Sequence, residues 1–281
     1  CGEGGSNVMD HQSLLSSMEK FGTTPEEICL NTLGVGADKI HENILLSPGW
    51  FPERMFLTDE IEEIVQSSPL FQYKIWNITH QNVDMTYVKT GFGAAVVMDV
   101  LLLLRLTGRC KKILFASSVG GLSEELGIGD IVLPVYSACG DGASRYLSDD
   151  FLSDTFGEKQ YADNRFFSIL TRVTENVCGN NNVKWHFGKT FCTDTIVAQY
   201  NHLEKIVGMG YNSVDMESAA AFKTGGMLGM PIAALLNVSD NSVVDNKSLM
   251  NRRTDDEQKY RRFVGREVIP QIIVGCFNSS L

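Results

Sequence analysis

One stretch constrains the fold more than any other. Residues 85–89 (MTYVK) read as a strand, residues 90–93 (TGFG) as a glycine turn, residues 94–106 as a helix rich in Ala, Val, Met and Leu, and residues 113–116 (ILFA) as a second strand. Gly108 stops the helix, and Lys111 and Lys112 lead into the next strand. Two strands joined through a helix cannot form a hairpin, so this βαβ unit implies neighbouring parallel strands with a helix on the face of the sheet. The run 92–106 is also the longest apolar stretch. It carries Asp99 and Arg105 and falls short of the ~20 residues a bilayer demands, so it reads as a buried helix.

Other segments repeat the alternation. Ile44 to Leu46 form a strand ending at Ser47-Pro48-Gly49, and residues 73–78, 131–133, 183–192, 214–216 and 232–238 supply further strands, that at 131–133 closed by Pro134. The acidic residues Asp59, Glu60, Glu62 and Glu63 suit the positive end of a helix over 58–66. Residues 217–227 form another helix, ended by Gly229 and Pro231. Thr254 and Glu257 make a capping box that opens a carboxy-terminal helix toward Ile273, with Pro270 as a potential kink. The 281 residues allow one or two domains, but no linker or repeat divides them. The expectation is a mobile segment over 1–20 and a single α/β domain over 21–281, a twisted mixed central sheet flanked by helices.

Charge and cysteines narrow the class. Lys+Arg 24 against Asp+Glu 34 gives −10, which disfavours nucleic acid and anionic membranes as partners, though it says nothing about one local cleft. Seven scattered cysteines without a CxxC pair argue against a zinc site and a disulfide framework and fit a cytoplasmic setting. Five histidines (His11, His41, His80, His186, His202) lack metal spacing, so no metal is expected. The amino-terminal Cys1, followed by a glycine-rich run, admits two readings: an expression remnant before a native start at Met9, or a lipid-anchored cysteine.

Ligands of such sheets gather at the carboxyl ends of strands, which directs attention to four places. These are Ser47-Pro48-Gly49 with Arg54; Ser117-Ser118-Val119-Gly120-Gly121; Val214-Asp215-Met216-Glu217-Ser218-Ala219; and Asn237-Val238-Ser239-Asp240-Asn241. Each alone is as well explained by a turn or a helix cap. Together, with Gly120-Gly121-Leu122 through Gly129-Asp130-Ile131-Val132 and with Asp141-Gly142-Ala143-Ser144, their order and spacing resemble the nucleoside phosphorylase/nucleosidase superfamily, over roughly residues 44–273.

The resemblance implies cleavage of the N-glycosidic bond of a nucleoside. It puts Met216 against the ribose and gives Glu217 the 2′- and 3′-hydroxyls, a task that suits an acceptor-only carboxylate. It makes Asp240 the general acid for purine N7, and places the base beside Ile196 and Val197. Uridine phosphorylases hold uracil with a Gln and an Arg; here Gln199 has no matching arginine, which favours a purine. For the nucleophile it points to Gly49, Arg54 and Ser118 as a phosphate or water site. Family phosphorylases carry an arginine three residues before that serine, where this chain has Phe115; Arg54, Arg145 or Lys74 are candidates to compensate. The expected reaction is phosphorolysis of a purine (deoxy)nucleoside, with phosphate as co-substrate and no organic cofactor, in a homo-oligomer (dimer, trimer or hexamer). The alternatives are a methylthioadenosine/adenosylhomocysteine- or AMP-nucleosidase-like hydrolase, a uridine phosphorylase, and a non-catalytic nucleoside-binding protein.

Overall fold

A computed structural model describes residues 11–148 and 150–281, apart from the side chain of His11. Cys1 lies outside them. Where the sequence reads as mobile up to residue 20, residues 11–19 form the exposed helix α1 (His11–Glu19). The helix α2 (Pro25–Thr32) follows, opened by a capping box between Thr24 and Glu27.

The strands are β1 (Asn43–Ser47), β2 (Ile61–Val65), β3 (Lys74–His80), β4 (Val83–Lys89), β5 (Lys112–Gly121), β6 (Ile131–Ala138), β7 (Lys159–Tyr161), β8 (Trp185–Cys192), β9 (Ser213–Asp215) and β10 (Ile232–Asn241). They form one mixed sheet in the order β10-β6-β8-β9-β5-β1-β4-β3-β2, with β7 on the side of β6. Because β10 also pairs with β5, five strands (β5, β10, β6, β8 and β9) close on themselves, and β1 to β4 extend from β5 as an open wing.

Further helices are α3 (Ala94–Leu106), α4 (Asn164–Asn181), α5 (Leu203–Gly208), α6 (Ser218–Leu228), α7 (Asp255–Phe263) and α8 (Ile269–Asn278). Helix α3 packs against α2 and α6, and α4 against α8. The core between helices and sheet is aliphatic: Leu101, Leu104, Ile113, Leu114, Leu235 and Ile272 are fully buried.

The helix over 94–106 forms as expected. The strands on either side of it are parallel but not adjacent, since β4 and β5 both pair with β1, which lies between them. The helix expected over 58–66 is instead a short 3-10 turn (Thr58–Glu60) followed by β2. Its apolar spacing (Ile61, Ile64, Val65) fits a helix, but pairing of Ile61 with Ile78 and Glu63 with Trp76 wins, and the exposed glutamates protect an outer strand. Pro134 does not end its strand: β6 runs on to Ala138 through an irregularity between Pro134 and Tyr136, where a missing N–H is tolerated. Nor does Pro270 kink its helix in isolation, since a π-helical segment (Val264–Val268) joins α7 to α8 just before it.

Two departures position the site. Residues 117–121 and 239–241, expected as turns beyond strands, lie within β5 and β10. The two strands run parallel, Asn237 opposite Ser118 and Val238 opposite Val119. Then the register shifts so that Asp240, not Ser239, stands opposite Gly120. This is a β-bulge with Ser239 as its extra residue.

Candidate active site

The end of β5, the β9–α6 turn, the end of β10 and helix α7 surround a cavity of about 390 Å³. Ser118, Ile196, Met216, Glu217 and Asp240 line it, as do Arg253 and Arg261.

On one side Asp215 ends β9 and ties down the turn. Its Oδ2 accepts from the Ser218 N–H (3.1 Å) and its Oδ1 from the Cys192 thiol (2.8 Å), whose Sγ accepts from the Ala219 N–H (3.0 Å). The turn holds Glu217, only 2% exposed, so that Oε1 accepts from the Gly93 N–H at 2.8 Å. Gly93 has φ +111°, a conformation side-chain-bearing residues rarely adopt, so the glycine turn ahead of α3 is part of the site. Burial, reinforced by the charge of Asp215, pushes Glu217 up to about 8, and burial raises Asp215 as well.

The end of β10 adds a further carboxyl to the cavity lining, Asp240. Ser239 Oγ donates to its Oδ1 at 2.5 Å. Burial raises this carboxyl, while the Ser239 bond and the charges of Arg253 and Arg261 pull it back. A carboxyl that lines a cavity and whose protonated form is favoured by burial is equipped to donate a proton.

The third side is cationic. Ser118 Oγ accepts from Trp50 Nε1 (3.1 Å) and from Arg261 Nη2 (3.0 Å). Asn237 Oδ1 accepts from Arg261 Nε (3.2 Å) and Arg54 Nη2 (3.3 Å), while its amide donates to the Gly129 carbonyl (2.7 Å). Arg253 Nε donates to the Ser239 carbonyl at 2.7 Å, and the Arg54 guanidinium lies 4.2 Å from the centre of the Trp50 ring. Burial, then the neighbouring Arg54 and Arg253, lower Arg261 to about 10.

The sequence-derived residues are thus only partly gathered. Arg54 sits one layer behind the cavity, joined to it through Asn237. Gly49 lies under the ring of Phe92, which lines the cavity; a Cβ there would meet Phe92 Cζ at 2.5 Å. Val197 is 70% exposed and does not line the cavity, whereas Gln199 does, with its Oε1 buried and without a hydrogen-bond partner. Phe115 is buried in the core, and neither Arg145 nor Lys74 reaches the cavity. The cation beside Ser118 is Arg261, which sequence reasoning missed together with Arg253 and Trp50; Asn237, which the sequence marks only as the start of a strand end, accepts from Arg261 and Arg54. The stripe Gln258, Arg261, Arg262, Gly265, Arg266 on one helical face was the available signal. Among the described residues, no group of three or more His, Cys, Asp or Glu could hold a metal ion, and no helix is long and apolar enough to cross a membrane.

The closed ring of strands with its open wing and flanking helices is a nucleoside phosphorylase fold. The model of the phosphorylase superfamily matches residues 51–267, and the chain belongs to that family. A guanosine phosphorylase of Halorubrum lacusprofundi is 23% identical, covering 78% of this chain and 85% of the relative. Two solved structures have the same fold at 17% identity. One is a uridine phosphorylase from Vibrio fischeri ES114 (TM-score 0.67; 93% of this chain, 97% of the other), the other an AMP nucleosidase from Bacteroides thetaiotaomicron (TM-score 0.62; 91% and 97%).

Proposed function

We propose that the protein cleaves purine nucleosides or deoxynucleosides by phosphorolysis. The observation that carries this reading is the Arg261 guanidinium at Ser118: it supplies beside the serine the positive charge that Phe115 cannot, and a desolvated anion demands such a partner. A phosphate held there by Ser118, Arg261 and the Trp50 side attacks C1′. The C1′–N9 bond breaks with its electrons passing to the purine, and Asp240 delivers a proton to N7, leaving the sugar 1-phosphate and free base. Glu217, as carboxylate, accepts from the ribose hydroxyls, and Met216 packs against the sugar. Ile196 and Gln199 flank the base, the latter with an amide oxygen free for an exocyclic amino group. The reading needs no cofactor beyond phosphate.

Raised Asp240 supports a purine over a pyrimidine, since uracil offers no N7. Similarity to both a guanosine phosphorylase and an AMP nucleosidase keeps one second reading in play: hydrolysis, which the loss of the β5 arginine at Phe115 favours. We also place the enzyme in the cytosol, in keeping with six free cysteines among the described residues, and assemble it as a homo-oligomer. Phe92 and Val197, 66% and 70% exposed, give the cavity's surroundings an apolar rim that a second copy would cover.

Release of free base from inosine, adenosine, methylthioadenosine and uridine, with and without phosphate, tests the reading. Phosphate-dependent release from purine nucleosides is expected. Equal release in both conditions would make the protein a nucleosidase, and none in either would leave it a binder.

A further inference from the structure

Behind the Ser118 wall lies a second cavity, of about 280 Å³, lined by Arg54, Arg253, Arg261, Arg262 and Arg266, with Gln258 and Gly265 completing it. In a chain with ten more acidic than basic residues, five arginines and no carboxylate line the space. Every ion pair among the described residues uses a lysine or histidine, none an arginine. Of the acids on the neighbouring segments, Glu257 pairs with Lys247, and Asp240 lines the main cavity.

The geometry is built rather than incidental. Arg261, Arg262 and Arg266 share one face of α7 and the π-helical segment, with Gly265 between them. A Cβ at Gly265 would stand 3.4 Å from Arg54 Nε, so the Arg54 guanidinium lies against the π-helical segment on one side and 4.2 Å from the centre of the Trp50 ring on the other. Guanidiniums do not relieve mutual repulsion by losing a proton at physiological pH; an anion does it instead. Five planar donors around a space several times a water's ~30 Å³ suit a tetrahedral oxyanion gripped in bidentate fashion.

We propose that this five-arginine cavity is a second anion site, which binds a phosphate-class dianion separately from the position beside Ser118. Arg253 and Arg261 line both cavities, so an anion in the second stands one layer of guanidinium from the nucleophile's place. Arg262 and Arg266 are exposed, so that cavity is reached from solvent, and neither of them lines the main cavity. The site does not depend on whether phosphate or water is the nucleophile.

The test counts bound phosphate. Equilibrium dialysis of the wild-type protein and of an Arg262→Ala/Arg266→Ala variant with inorganic phosphate should give one phosphate per chain fewer in the variant, or at least a tenfold weaker second site. An Arg262→Lys/Arg266→Lys variant should keep much of the binding, and circular dichroism verifies the fold of each. Equal stoichiometry and affinity in wild type and alanine variant would overturn the proposal. Base release run in parallel separates the two readings: phosphate-independent release overturns phosphorolysis and leaves the dialysis result standing. Displacement of the arginine-dependent phosphate by ribose 5-phosphate, tighter than phosphate itself, would identify a phosphomonoester as its occupant; no displacement would identify free phosphate.

Discussion

The two sides of the cavity are electrostatic opposites, built by different means. The Asp215–Glu217–Asp240 side gathers carboxyls, each raised by burial, on strand ends and turns of the ring. The Arg54–Arg253–Arg261 side gathers guanidiniums, Arg54 and Arg261 lowered by burial, on a 3-10 turn, a loop and the carboxy-terminal helix. No ion pair joins Asp240 to Arg253 or Arg261, although their charges act on one another. Opposite charges kept apart across an empty space leave both free for a ligand, hydroxyl-rich and proton-accepting at one end, anionic at the other. Direct neutralisation would stabilise the empty protein and consume the binding groups.

Breaking the carboxyl side should have the larger consequence. Asp240→Asn removes the proton donor and should lower purine release by ~10²–10⁴-fold, with nucleoside affinity, measured by calorimetry, changed only a few-fold; undiminished turnover would remove Asp240 from the chemistry. On the cationic side, Arg261→Ala deletes a charged donor and should raise KM for phosphate by ~10–100-fold. The KM for nucleoside should hold, and a uniform loss of both would mean that Arg261 serves the fold.

The acid–base asymmetry sharpens the comparison through pH. Glu217, at about 8 in the free protein, must lose its proton to accept ribose hydroxyls, which makes kcat/KM rise with pH. Asp240, raised by burial, must keep its proton, so its ionisation opposes that rise. Glu217→Gln should erase the rising contribution, about tenfold per pH unit, and leave only the fall that Asp240 imposes. Smallest is Ser118→Ala: it removes one neutral acceptor while Arg261 and Arg54 stay fixed by Asn237, so phosphate KM should rise only ~2–10-fold.

The same two sides differ in how far the sequence discloses them. Met216-Glu217 and Ser239-Asp240 follow short apolar runs directly, so the rule that ligands meet strand ends finds them without a structure. Arg261 touches Ser118 across 143 residues of sequence and sits on a helix whose charged face looks like any solvated surface. Nothing local distinguishes Arg261 from Arg262, its exposed neighbour. The fold divides likewise: α3 and the Thr254 capping box are local signals and are realised, whereas β2 depends on a partner strand that overrides its helical spacing. Closure of the ring depends on β10 pairing on both sides, which no periodicity announces.

The irregularity beside Ser239 has a consequence for how such a site can change over time. Without it, a continuous ladder from Val238 would set Asp240 opposite Gly121, about 3.3 Å farther along the strand and turned to the other face of the sheet. The acid's address is therefore counted in whole residues. Point substitutions around it can adjust how readily this carboxyl ionises, but only an insertion or deletion can relocate it, so descendants of this chain can retune its acidity gradually and move it only in jumps.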